Sequence, residues 1–127
     1  MLAGLKLEGK ENYRYLCNSV DTAPGIDDAQ CFEEMREAFG TLGFSPEEQL
    51  QIFHIVVSAL TLGNCDFQPN GEELQLEYKA PVERAAQLLE VDAEALARCM
   101  LWRTVVTGRD ATETPLREEQ ARAVRDG

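Results

Sequence analysis

The feature that most constrains the fold is a strongly apolar stretch, Ile52 to Leu62, which would be apolar on nearly every side of a helix. It follows the string Ser45-Pro46-Glu47-Glu48, in which a hydroxyl can cap the helix, a proline takes the first helical position and a glutamate completes a capping box. Gly63-Asn64 supplies the end. Because a helix that is apolar all round is usually buried, this pattern predicts a central, buried helix.

Four further helices are predicted from apolar spacing and capping residues. The first begins near Asp28 and carries apolar residues at spacings of three and four as far as Leu42. Pro81 opens the next helix, Asp92 caps the one after it, and the last begins near Pro115. These patterns predict a fold made mainly of packed helices.

Two segments between the helices have a different composition. Residues 65–78 alternate weakly between apolar and polar around the turn string Pro69-Asn70-Gly71, which predicts a small hairpin or loop. Residues 103–115 form a polar segment that contains Gly108 and four threonines. The predicted fold class is therefore mainly α, a helical subdomain with a small hairpin or loop near residues 65–78.

The charge of the chain limits its partners. It carries 12 Lys plus Arg against 23 Asp plus Glu among 127 residues, a net charge of −11. Nucleic acids and anionic membranes are bound through clustered Lys and Arg, so we expect neither as a partner. No apolar run reaches the roughly 18 to 20 residues that a membrane-spanning helix requires. We therefore expect an intracellular protein.

The candidate catalytic and metal motifs are all weak. Residues 4–11 fit the phosphate-loop pattern G-x-x-x-x-G-K, but Glu11 replaces the Ser or Thr that would hold magnesium. His54 is the one histidine, so neither a nucleophilic triad nor a zinc site can be assembled around it. The four cysteines form no closely spaced pair. We predict no catalytic, nucleotide-binding or metal-binding residues in this chain.

Several short strings, in this order and at this spacing, resemble the head of the myosin motors. They are Leu2-Ala3-Gly4, Tyr13-Arg14-Tyr15-Leu16, Gly25-Ile26-Asp27-Asp28-Ala29, Leu42-Gly43-Phe44, Glu47-Glu48 with Ile52-Phe53, Leu60-Thr61-Leu62-Gly63-Asn64, Ala85-Ala86-Gln87-Leu88-Leu89, Gln120-Ala121 and Arg125-Asp126. The matching region is similar to the upper actin-binding subdomain, which lies between the two nucleotide switches of the head. We therefore expect residues 1–127 to be a partial motor domain, truncated at both ends, from a larger α/β fold of the P-loop NTPase type.

This resemblance implies a function for the whole motor. Members of the family hydrolyse ATP with Mg²⁺ on actin filaments, and actin binding closes a cleft that in turn weakens the retention of the products. The segment would form one wall of that cleft and would be inactive alone, since the phosphate loop and both switches have no counterpart in it. Its expected partners are the actin filament and the remaining parts of the head. Its expected location is the cytoplasmic actin cytoskeleton.

The resemblance also implies an actin-contacting surface loop over residues 103–116. The candidate actin-binding residues there are Arg103, Arg109, Asp110, Thr112, Glu113 and Thr114. Asp110 matches a family position that is either acidic or a phosphorylatable Ser or Thr, so it would supply a permanent negative charge. Residues 98–127 hold six arginines against five acidic side chains, whereas the acidic surplus lies in residues 1–97. The predicted actin loop is thus in the only part that is not acidic.

A second hypothesis for the function remains open. The chain could be a free-standing helical actin-binding module or adaptor, derived from a motor and lacking ATPase activity. Cooperative unfolding of the isolated chain and salt-sensitive binding to actin would support that alternative.

Overall fold

The computed structural model describes residues 2–127, and Met1, with which the predicted segment begins, lies outside the described residues. The described residues form five α-helices, two antiparallel hairpins and two short 3-10 helices. The helices are α1 Asp28–Thr41, α2 Pro46–Leu62, α3 Ala80–Leu89, α4 Ala93–Leu101 and α5 Glu118–Asp126, the strands are β1 Phe67–Asn70, β2 Glu73–Leu76, β3 Trp102–Thr107 and β4 Asp110–Pro115, and the 3-10 helices are Leu2–Leu5 and Lys10–Asn12.

Side chains cap the starts of three of the helices. The Asp27 carboxylate accepts hydrogen bonds of 3.1 Å from two backbone N–H groups of the first turn of α1. Ser45 and Glu48 form the reciprocal capping box of α2, with bonds of 2.8 and 3.2 Å. Asp92 accepts from the backbone N–H of Ala95 at 2.8 Å and so begins α4. The predicted caps Ser45 and Asp92 are confirmed, and Asp27 caps the helix predicted to begin near Asp28.

The prediction of a mainly α fold is correct only in part. The fold is mixed α and β, because each of the two segments between the helices forms a hairpin. The first hairpin, β1–β2, confirms the expected hairpin within residues 65–78, although its turn is Gly71-Glu72 and Pro69 belongs to β1. The second hairpin, β3–β4, occupies the segment predicted as a loop. Its β-branched residues favour strands and Gly108 permits a tight turn, which explains the difference. The last helix also starts later than predicted, because Pro115 ends β4.

Two clusters of buried side chains form the core. One joins the first hairpin to α3, α4 and α5, and the other joins α2 to the first 3-10 helix. The first consists of Cys65, Phe67, Val82, Met100, Leu116 and Ala121, and the second of Leu5, Phe53 and Val57. In the second cluster, Phe32 of α1 packs against Phe53 with ring centroids 5.4 Å apart.

The central helix is buried on one side only. Phe53 and Val57 of α2 face the core, as the apolar pattern predicts. Ile55 and Val56, by contrast, remain 60% and 52% exposed. The prediction that α2 is buried on nearly every side is therefore wrong for the described residues, which pack against one face of this helix.

Candidate functional site

The second hairpin brings most of the predicted actin-binding residues onto one face of a two-stranded sheet. In its register Arg103 lies opposite Thr114, Val105 opposite Thr112, and Thr107 opposite Asp110. Directly opposed residues share a face, and successive residues along a strand point to opposite faces. We call this set, Arg103, Val105, Thr107, Asp110, Thr112 and Thr114, the outer face of the hairpin. Every member except Thr114 is exposed.

The tip of the hairpin presents the remaining predicted residue, Arg109. The two turn residues are Gly108, with φ of +65°, and Arg109. A glycine with positive φ in the first turn position is the arrangement of a type II′ turn, which matches the twist of the flanking strands. Asp110 follows directly as the first residue of β4 and is exposed. The tip therefore carries one positive and one negative side chain side by side.

Glu113, the sixth predicted actin-binding residue, lies on the opposite face. It stands across from Thr104, on the face that also carries Trp102. Its carboxylate accepts a 3.2 Å hydrogen bond from Nε of Arg98 on α4 and also pairs with Nη2 of the same guanidinium. These hydrogen bonds hold the pKa of Glu113 below its ordinary value. Glu113 is thus joined to α4, apart from the other five predicted residues.

Arg98 is a residue that the sequence analysis missed. Its guanidinium carbon lies 5.3 Å from the ring centroid of Trp102, the range of a cation–π contact. One side chain of α4 therefore contacts Trp102 of β3 and Glu113 of β4. The spacing of four between Arg98 and Trp102 is the one available signal, since residues four apart can meet on a helix face.

A second polar cluster lies at the root of the first hairpin. Arg14 donates to Asp66 through Nη2 at 2.6 Å, and its backbone N–H donates to Oδ1 of Asn64 at 2.8 Å. Arg125 of α5, whose side chain is 8% exposed, donates to the carbonyl of Cys65 at 2.9 Å and to Asp126 at 2.7 and 3.0 Å. This cluster connects the N-terminal segment, the start of the first hairpin and α5.

Tyr15 completes this root cluster. Its hydroxyl donates to Asp126 at 2.6 Å across 111 positions of sequence. The hydrogen bond from Arg125 is the main cause that lowers the pKa of Asp126, and this bond from Tyr15 adds to it. Burial is the main cause that raises the pKa of Tyr15 itself. The ring lies where a side chain on Gly63 would stand, with Cδ2 2.7 Å from that point. Three of the strings that carry the family resemblance therefore meet in one place: 13–16, 60–64 and 125–126.

The partial phosphate-loop pattern does not fit a nucleotide phosphate. The Glu11 carboxylate fills the space over Gly9, where a phosphate would have to approach the backbone. Lys10 donates to the carbonyl of Ser19 at 2.7 Å and pairs with Asp21, so its ammonium is bound elsewhere. A strand followed by a helix is also required, and this segment has only 3-10 turns.

Metal sites and membrane-spanning helices are both absent from residues 2–127. Within that range, no three His, Cys, Asp or Glu side chains come together in a way that could hold a metal ion. Of the helices it contains, none combines the length and apolar character needed to cross a membrane.

Comparison with known proteins gives a consistent result over the whole chain. The model of the family described as "Myosin head (motor domain)" matches residues 1–127. The chain is 32% identical over 127 residues to unconventional myosin-Id of dog and of human, covering 99% of this chain and 13% of those proteins. It is 34% identical over 128 residues to unconventional myosin IC of Drosophila melanogaster, covering 99% of this chain and 12% of that protein. The chain thus spans about 13% of the length of these relatives.

Proposed function

The chain belongs to the myosin head family, and from this membership we propose that it is part of an ATP-driven motor that moves on actin filaments. In this proposal the segment is one wall of the actin-binding cleft, within the upper actin-binding subdomain between the two nucleotide switches. ATP and Mg²⁺ would be held by other parts of the head, since the residues around Lys10 do not fit a phosphate. The motor would work in the cytoplasmic actin cytoskeleton.

The second hairpin is the element that we propose as the actin contact. The observation that supports it is the exposed outer face, which has Arg103 and Thr112 in an otherwise acidic chain. The hairpin itself has two arginines and two acidic residues, and Glu113 is already neutralised by Arg98. Because actin filaments are acidic, a hairpin without net negative charge can approach them where the rest of the chain would be repelled.

Asp110 has a distinct part in this contact. It lies in the outer face next to the turn and is exposed, so its carboxylate is free to meet a basic group on the filament. It also matches the family position that is either acidic or phosphorylatable. We therefore propose that Asp110 supplies a constant negative charge where other members of the family depend on phosphorylation.

An actin-activated ATPase assay on the motor head that carries this segment tests the proposal. Asp110→Ala should raise the KM for actin by about three- to tenfold, because a charge at the rim of an interface mainly affects encounter with the partner. Arg103→Ala should act in the same direction. The basal ATPase without actin should stay within error of the parent, since neither residue lies near a nucleotide site in this proposal.

The first hairpin offers a matched control for Asp110. Glu73 is acidic, exposed and the first strand residue after a two-residue turn that begins with glycine, as Asp110 is. Glu73→Ala should leave the KM for actin unchanged. If Asp110→Ala and Arg103→Ala also leave it unchanged, the second hairpin is not the actin contact.

The remaining parts of the head are the second partner that we propose. The exposed Ile55 and Val56 give α2 an apolar face without a cover among residues 2–127. Exposed apolar patches are typical of interfaces. Ile55→Ser should therefore reduce self-association of the isolated segment in sedimentation, but lower the melting temperature of the complete head. A head whose melting temperature is unchanged would show that this face is not covered.

A free-standing adaptor is the weaker alternative, because the match to the motor-domain family extends over every residue of the chain. We expect the segment alone to hydrolyse no ATP. Measurable actin-activated hydrolysis by the isolated segment would contradict this proposal.

A further inference from the structure

Within residues 2–127, the backbone of the second hairpin is joined to the neighbouring elements at its base. Its first strand follows α4 without an intervening residue, since α4 ends at Leu101 and β3 begins at Trp102. At the other end, the N–H of Leu116 donates to the carbonyl of Leu101 at 2.8 Å. Beyond this base, residues 103–113 are all exposed. The backbone alone therefore leaves the hairpin free to swing about its base.

Arg98 is the side chain that restrains this movement. It lies on α4 one turn before the base and contacts the inner face of the hairpin, which carries Trp102, Thr104 and Glu113. The guanidinium lies over the indole ring of Trp102 and makes two contacts with the Glu113 carboxylate. It thus holds one residue of each strand at the same time.

The geometry of guanidinium makes this contact directional. A planar guanidinium that binds both oxygens of a carboxylate fixes the plane and the distance of its partner, whereas an ammonium acts as a point charge. Stacking on an aromatic ring adds a second fixed plane. Holding the inner face in this way turns the outer face, with Arg103 and Asp110, away from α4 and toward the surroundings.

We infer that Arg98 is a positioning residue for actin binding: by holding Glu113 and Trp102 it fixes the angle at which the second hairpin presents its outer face. The inference depends on the proposed role of that hairpin. It assigns to Arg98 no contact with actin, and it moves Glu113 from the predicted contact set to the support of that set.

The test compares variants of the motor head carrying this segment. Arg98→Ala should raise the KM for actin about three- to tenfold, because a hairpin whose angle is not fixed forms the productive contact with actin less often. The kcat at saturating actin and the basal ATPase should be unchanged, because the contact still forms. Arg98→Lys should also raise the KM for actin, since lysine retains the positive charge but lacks the planar guanidinium that binds both oxygens of the carboxylate. Hydrogen exchange of residues 102–115 should be faster in both variants.

Two controls separate a positioning role from a general structural one. Arg122→Ala removes an equally exposed arginine whose partner, Glu118, is on the same helix at 2.6 Å, and it should leave the KM unchanged. Arg98→Glu should raise the KM further, and adding Glu113→Arg should recover most of that loss by restoring an ion pair. A double variant as weak as Arg98→Glu alone would overturn the inference.

The outcomes also distinguish this inference from the proposed function. If Asp110→Ala and Arg103→Ala raise the KM for actin but Arg98→Ala does not, the hairpin binds actin and only the positioning role is rejected. If none of these variants changes the KM, the hairpin is not the actin contact and both proposals are rejected.

Discussion

The two hairpins of this molecule have the same turn but opposite relations to the core. Each has a two-residue turn whose first residue is a glycine with φ near +65°, namely Gly71 and Gly108. In the first hairpin Phe67 lies opposite Leu76, and Pro69 opposite Leu74, so that one face is entirely apolar. Of this face, Phe67, Leu74 and Leu76 pack in the core cluster. The second hairpin has no face of this kind.

The second hairpin mixes apolar and polar residues on both faces. Val106 lies on the inner face with Glu113 and Thr104, and Val105 lies on the outer face with Arg103 and Thr112. Neither face can be buried without burying unpaired polar groups, which costs free energy. The pattern of alternation, rather than the turn, decides which hairpin becomes core and which remains available to a partner.

Truncation of one apolar residue in each hairpin gives the largest expected difference. Phe67→Ala should lower the free energy of unfolding by about 3–5 kcal/mol, because Phe67 is 7% exposed within the core cluster. Val106→Ala should change it by less than about 0.5 kcal/mol, because Val106 is 69% exposed. Urea unfolding of the two variants measures both. Equal losses would mean that the second hairpin is also part of the core.

The root of the first hairpin can be disturbed without touching its strands. In Gly63→Ala the new Cβ meets the Tyr15 ring, which must move and give up its bond to Asp126. Overpacking of this kind should cost about 1–3 kcal/mol. Thermal unfolding of the chain measures the loss.

Gly40 provides the matched control for Gly63. It lies in α1, and a Cβ at this position has no neighbour within 4 Å. Gly40→Ala should therefore raise the stability by about 0.5–1 kcal/mol, because alanine is the better helix former. A loss at both positions would show that the Tyr15 contact is not the reason for the effect at Gly63.

The same substitution at the two turn glycines compares how much each hairpin contributes to global stability. Gly71→Ala and Gly108→Ala each place a Cβ on a residue with positive φ, which should cost about 1–2 kcal/mol locally. For Gly71 the cost should appear in urea unfolding of the whole chain, because that hairpin belongs to the core. For Gly108 it should appear only as faster hydrogen exchange in residues 102–115. A global loss for both would remove the distinction between the hairpins.

The sequence is sufficient for the features that depend on neighbouring residues. The capped starts at Ser45 and Asp92 are correctly predicted because an N-cap acts within three residues. The first hairpin is predictable in the same way, from alternation beside a glycine turn. The second hairpin is missed because it lacks such alternation, and its strand signal is limited to the β-branched threonines and valines of β3 and β4.

The contacts that define the candidate site are less predictable. The family resemblance identifies residues 103–116 as the candidate actin contact. The register of the second hairpin is then needed to show which of these residues share a face. The bond from Arg98 to Glu113, and the one from Tyr15 to Asp126, join residues 15 and 111 positions apart. No local pattern specifies such pairs, since they depend on how the helices pack.

Acid titration gives the smallest expected difference between the hairpins. The hydrogen bond from Arg14 lowers the pKa of Asp66 at the root of the first hairpin, and that from Arg98 lowers the pKa of Glu113 in the second. A carboxylate with a lowered pKa stabilises the fold fully above its unfolded pKa of roughly 4, and this contribution is lost as the pH falls through its folded pKa. The wild-type chain should therefore lose stability as the pH falls below about 5.

Asp66 and Glu113 should contribute differently to this loss of stability at low pH. Asp66→Asn should flatten the fall in urea-unfolding stability between pH 7 and pH 3, because Asp66 links Arg14 and Arg125 across separate segments of the core. Glu113→Gln should leave that fall unchanged and affect only hydrogen exchange in the second hairpin. If Glu113→Gln flattened the fall as strongly as Asp66→Asn, the second hairpin would contribute to global stability as the first hairpin does. The proposal that its outer face is available to a partner would then be wrong.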